Sequence, residues 1–154
     1  MARQIEIRPI AASDEAEWRG LWTGYLEFYE SSVSEEVYQT TFARLTGPHA
    51  EDEISFYEPR GFLALANGVP VGLVHYFYHR HCWKVEHVCY LQDLYAAPEA
   101  RGTGIGRKLI EAVYAQADRD GCPGVYWTTQ EFNATARQLY DRIGTLTPFI
   151  KYSR

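Results

Sequence analysis

The stretch from Tyr90 to Leu109 (YLQDLYAAPEARGTGIGRKL) constrains this chain more than any other. It reads as a strand, a short Pro-containing link, a glycine-rich turn and the first turn of a helix. Past Gly104, the residues Ile105, Leu109, Ile110, Val113, Tyr114 and Ala117 recur at helical spacing, so the turn feeds an amphipathic helix. Gly102, Gly104 and Gly106 alternate, which lets backbone N–H groups approach a ligand unobstructed. The helix start adds unpaired donors and the positive end of a dipole. Together these predict an anion site suited to phosphate or pyrophosphate, bracketed by Arg101, Arg107 and Lys108.

The spacing decides which phosphate motif this is. A P-loop requires Lys and then Ser or Thr directly after its last glycine, but Gly106 is followed by Arg107, Lys108 and Leu109. A dinucleotide fingerprint requires its third glycine one place later, and an acidic residue about 20 positions on. The pattern Arg101-x-x-Gly104-x-Gly106 after a strand and a Pro link instead resembles the acetyl-CoA motif of the GNAT N-acetyltransferases. Asn133 to Gly144 (NATARQLYDRIG) resembles that family's following helix, with Asn near its start and Tyr near its end. The two matches occur in order, with a strand (Val125 to Thr128) between them, and cover residues 85 to 144.

The resemblance implies one domain over residues 1–154 with a mixed α/β (α+β) fold. Its sheet would have six to seven mostly antiparallel strands, with about four helices and one parallel strand pair splayed to hold acetyl-CoA. The backbone of Arg101, Gly102, Thr103, Gly104, Ile105, Gly106 and Arg107 would hold the pyrophosphate. Leu94, Tyr95 and Ala96 would pair with the pantetheine arm, although the Tyr95 ring also suits a core. Asn133 would be a cofactor-arm or water ligand, a helix N-cap, or both. Arg137 would reach a CoA phosphate or remain a solvated surface arginine. Tyr140 takes the family's general-acid position, while its spacing with Ala136, Leu139 and Ile143 also suits a core aromatic.

Bulk properties bound the remaining classes. A chain of 154 residues with 46% hydrophobic and 23% charged residues can bury one core and is not expected to be disordered. The net charge of −5 and the absence of a long basic run give nucleic-acid binding little support, and suit a cationic amine. Cys82, Cys89 and Cys122 are odd in number and irregularly spaced, which predicts reduced thiols in a cytoplasmic setting. Met1-Ala2-Arg3-Gln4 opens without an apolar leader, and no run approaches membrane-span length.

Periodicity and punctuation predict the other elements. A first strand spans Ile5 to Pro9, a helix starts near Ser13 and runs to about Glu30, and a second runs from Ser34 to about Gly47. Phe62 to Ala66 and Val69 to Tyr78 flank Asn67-Gly68, a strong hairpin signal. A strand from Lys84 to Tyr95 and a last strand from Thr145 to Tyr152 complete the sheet.

Acetyl transfer from a thioester to an amine requires a proton acceptor, oxyanion donors and a proton for the leaving thiolate. Polyamine-type members often carry Glu-Asp where this chain has Gln92-Asp93, and Gln92 cannot accept a proton. Asp93 working through water, the distant Glu86, or direct binding of the neutral amine remain open. Tyr25, Glu27, Tyr29 and Glu30 cluster where a substrate ammonium would meet aromatic faces and carboxylates, though Tyr25 and Tyr29 also suit a core at i, i+4. The C-terminal half is most similar to the yeast histone and D-amino-acid acetyltransferase group and to diamine acetyltransferases. The acceptor would then be a small-molecule or peptide amine, and the assembly a homodimer paired through terminal strands. Two alternatives accompany this reading. A CoA-binding sensor without turnover would fit the loss of an acid at Gln92. A hairpin about Lys84 would set His79 opposite Cys89 and His81 opposite His87, a set able to hold a soft metal.

Overall fold

A computed structural model describes residues 4–154; the reading of the first three residues as leaderless lies outside them. Alternation in the apolar run after Arg60 makes β2 (Arg60–Ala66), with Leu63 and Leu65 on one face and Phe62, Ala64 and Ala66 on the other. Asn67 and Gly68 adopt φ values of 51° and 81°, and turn β2 into β3 (Val69–His79) with Ala66 opposite Val69. This is the two-residue hairpin that the Asn-Gly pair predicts. β4 (Val88–Ala96) returns antiparallel to β3, β1 (Ile5–Pro9) flanks β2, and β5 (Val125–Tyr126) lies parallel to β4. The strand order is β1-β2-β3-β4-β5.

Among the described residues the sheet thus has five strands, fewer than the six or seven expected. The segment Thr145 to Tyr152 forms none, and its Leu146, Phe149, Ile150 and Tyr152 are 73% to 88% exposed, because no surface of the monomer covers them. β4 begins at Val88 rather than Lys84, since Trp83 and Val85 lie in an exposed loop.

Helices cover both faces. α1 (Glu15–Phe28) and α2 (Glu35–Thr46) pack on one side, where fully buried Trp18 stacks on Trp22 at 5.2 Å among Phe42, Leu45, Leu63, Leu65 and Leu73. Asp14 rather than Ser13 closes the start of α1; its carboxylate accepts from the Ala11 N–H and pairs with Arg8 at 2.7 Å. Ser34 caps α2 as expected, accepting from the Val37 N–H. α3 (Ile105–Arg119) and α4 (Ala134–Ile143) lie on the other side. There Ile105, Leu109, Ile110, Val113 and Ala117 form the buried stripe that their spacing predicts.

One irregularity positions the site. Tyr76 pairs with Leu91 and His75 with Asp93, which leaves Gln92 as an unpaired bulge residue. Regular alternation would put Leu91 and Asp93 on one face. The extra residue sends Leu91 into the α3 core and Asp93 to the α1 side, facing His75.

Candidate active site

The glycine turn lies between the end of β4 and the start of α3. Pro98 to Ala100 form one 3-10 turn, and the Thr103 hydroxyl donates to the Ala100 carbonyl, tightening the loop. Gly102 and Gly104 have φ of 78° and 82°, where a side chain would be strained. Gly106 has no such constraint, and a Cβ there would meet only Leu139 at 3.4 Å. Among the described residues, the N–H groups from Gly102 through Arg107 donate to no protein acceptor; the ladder begins with the Lys108 N–H bonding the Gly104 carbonyl at 3.0 Å. Six consecutive free donors at a helix N-terminus suit an anion with several oxygens.

The flanking cations are arranged differently from the simple bracket expected. The Arg101 Nε donates back to the Ala96 carbonyl at 3.1 Å, with its guanidinium over the Phe28 and Tyr95 rings. Arg107 is engaged by Glu111 at 2.7 Å. Arg101 therefore braces the end of β4 against α1.

β5 accompanies β4 for two pairs only, Cys89 with Val125 and Tyr90 with Tyr126. β4 then continues to Ala96 with no strand on that side, leaving the backbone of Leu94, Tyr95 and Ala96 beside an open gap. The Tyr95 side chain leaves the gap and packs on α1, where Gly24 makes room: a Cβ there would lie 2.5 Å from the Tyr95 hydroxyl.

The polar side of the cleft is built from α1, β4 and α4. Asp93 is 8% exposed; its Oδ2 accepts from Trp22 Nε1 at 3.3 Å and lies 2.8 Å from His75 Nδ1. One turn beyond Trp22, Tyr25 stacks edge-on against Tyr29 at 5.1 Å. Burial first, and then the Asp93 charge, push the phenols of Tyr25 and Tyr29 upward. Burial, with Tyr29 nearby, raises Tyr140 to about 12, so it is protonated at neutral pH. Tyr140 also packs edge-on against Trp127 at 5.5 Å and against the α3 core, the core packing that its spacing allows.

The remaining predicted residues take simpler places. Asn133 caps α4, accepting from the Ala136 N–H at 3.4 Å. Arg137 donates to the Glu131 carbonyl at 2.6 Å and holds the loop before α4. Glu27 is exposed. The metal set is not assembled. Tyr78, not His79, stands opposite Cys89, and His79 is opposite Val88, so the hairpin register differs by one residue. Cys89 is therefore buried on the α3 face, while His79 bonds the Tyr126 hydroxyl and His87 meets Tyr57. Among the described residues, no three metal-ligating side chains converge.

Sequence reasoning missed His75 and Trp22 as polar partners of Asp93, and Trp18 as the partner of His75. The available signal was Gln92-Asp93, two adjacent polar residues interrupting a strand's alternation, which is the mark of a bulge.

Comparison with known proteins decides the family, since residues 18–145 match the acetyltransferase (GNAT) family. The chain belongs to the GNAT acetyltransferases. It is 38% identical over 151 residues to the D-amino-acid N-acetyltransferase HPA3 of Saccharomyces cerevisiae, covering 98% of this chain and 91% of that protein. It is 33% identical over 87 residues to the thialysine N-epsilon-acetyltransferase of Bos taurus, covering 56% of this chain and 47% of that protein. Its fold matches an aminoglycoside N-acetyltransferase crystallised with CoA at a TM-score of 0.81 and 18% identity, covering 100% of this chain and 96% of that one. This GNAT chain thus has the α/β architecture of its family, with one short parallel strand pair, β4 and β5, and no described helix is long and apolar enough to cross a membrane.

Proposed function

We propose that the protein is an acetyl-CoA-dependent N-acetyltransferase, with residues 1–154 forming one catalytic domain. Its acceptor is a primary amine (amino acid, polyamine or protein lysine) that attacks the thioester directly in a ternary complex. The observation that carries this reading is the row of free N–H groups from Gly102 to Arg107, placed where β4 and β5 part. The row would hold the CoA pyrophosphate, and the unpaired edge at Leu94 to Ala96 would receive the pantetheine arm.

The chemistry follows from the groups in the cleft. An alkyl ammonium, with a pKa of about 10.4, must lose a proton before it attacks. Asp93 is the nearby carboxylate, and its charge is felt by Tyr25 and Tyr29. Tyr140 serves the leaving thiolate. A phenol at about 12 facing a thiol of about 8.5 makes outright donation uphill by roughly 5 kcal/mol. Tyr140 therefore works as a relay, releasing its proton to sulfur as it takes one from the acylated nitrogen.

The activities of the two relatives, on D-amino acids and on the ε-nitrogen of thialysine, put amino acids first among acceptors. Gln92, the residue that argued for a sensor without turnover, is an exposed bulge residue and leaves Asp93 in the cleft. The exposed apolar segment from Leu146 to Tyr152, together with the short edge strand β5, supports a homodimer joined through that segment. Three unpaired thiols suit the reducing cytoplasm. Thiol release from acetyl-CoA, measured across D- and L-amino acids, lysine, spermidine and a histone-tail peptide, tests the reading. Release with at least one amine is expected; tight CoA binding with no release would establish the sensor instead.

A further inference from the structure

Acetyl transfer as described above makes no use of His75, Trp18 or Trp22, yet His75 and Trp22 bond Asp93 and Trp18 bonds His75. His75 is 3% exposed and faces Asp93 across β3 and β4. Trp18 Nε1 donates to His75 Nε2 at 2.9 Å. An indole N–H can only donate, so Nε2 presents its lone pair and the ring hydrogen sits on Nδ1. The Nδ1–H then donates to Asp93 Oδ2 at 2.8 Å. Trp22, one turn along α1 from Trp18, donates to that same oxygen at 3.3 Å. Both donors hold Oδ2, which leaves Oδ1 as the oxygen available to a further donor. Tyr25, one turn beyond Trp22 on α1, lies near enough to Asp93 for that charge to raise its phenol. Burying a carboxylate is unfavourable unless it is fully bonded, and a structural position here would be served as well by an apolar residue.

We propose that His75 is a positioning residue: held by Trp18, and together with Trp22, it pins one oxygen of Asp93 so that the other takes the acceptor's proton. This inference rests on the acetyl-transfer reading. The ammonium N–H proton passes to the free oxygen of Asp93, so Asp93 becomes neutral. The freed amine forms the C–N bond, the C–S bond breaks, and the second nitrogen proton reaches sulfur through Tyr140. Asp93 then releases its proton to solvent, which balances one proton per turnover.

The test compares His75→Leu, His75→Asn and His75→Gln on two acceptors. One is an ordinary alkyl amine; the other carries electron-withdrawing groups and is already unprotonated at the assay pH. Asn places an N–H where Nδ1 stood, whereas Gln places one nearer Nε2. His75→Leu is expected to lose about 10²-fold in kcat/KM on the protonated amine and less than about 3-fold on the unprotonated one, with KM for acetyl-CoA unchanged. His75→Asn recovers most of that loss and His75→Gln does not. Equal losses on both amines, no loss, or equal rescue by Gln would overturn the inference while leaving acetyl transfer intact. Wild-type protein that acetylates neither amine would overturn both. Thermal melts accompany each variant; should the Leu variant fail to fold, the Asn and Gln pair and Trp22→Phe on the same two amines decide the matter.

Discussion

Tyr140 concentrates the chemistry in one hydroxyl, so Tyr140→Phe removes the relay and little else. Turnover should fall by about 10- to 10⁴-fold with KM for acetyl-CoA nearly unchanged, in steady-state assays of both substrates. The glycines separate by cause. Gly104 sits at φ 82°, so Gly104→Ala strains the backbone by about 1–2 kcal/mol and lowers the melting temperature before any ligand is added. Gly106 has no positive φ, and a methyl there meets only Leu139. Gly106→Ala should therefore melt like wild type but raise KM for acetyl-CoA by about 10- to 100-fold, the worth of a hydrogen bond to a charged group. The thiols separate as well. Cys82 is exposed, whereas burial pushes Cys89 up to about 12 and also raises Cys122. Thiol titration of native protein should count one fast cysteine, and all three after unfolding.

At the scale of elements, local chemistry made most of the fold legible. The Asn67-Gly68 hairpin, the α3 stripe and the glycine turn each follow from period and turn residues, and each stands where it was expected. Two features were not legible because they depend on partners distant in sequence. The bulge at Gln92 exists because β3 and β4 must bring His75 opposite Asp93, residues that periodicity alone does not couple. The expected last strand reads well from Thr145 to Tyr152, but a strand needs an edge to pair with, and the β5 edge is only two residues long. That segment also carries a test: deleting 145–154 should convert a dimer to a monomer in light scattering while leaving the melting temperature of the remaining chain within a few degrees. A full-length chain that runs as a monomer would contradict the proposed pairing.

The whole molecule carries buried and half-buried phenols on both faces of its sheet, and their titration sets its alkaline limit. Tyr25, Tyr76, Tyr78 and Tyr140 are all raised, chiefly by burial. Above pH 10 the unfolded chain ionises these phenols and binds fewer protons than the native state, so stability falls as pH rises. Their contribution is complete below about pH 10 and is lost as pH climbs through the raised native values. Melting temperature should thus change little from pH 7 to about 9 and drop steeply beyond about 10. The central claim, however, is that one short run of backbone grips the diphosphate of the coenzyme. Amide NMR during a CoA titration addresses it directly. The N–H resonances of residues 102–107 should move and become protected from exchange as CoA saturates the protein; saturation that leaves them unmoved while amides elsewhere shift would contradict the account.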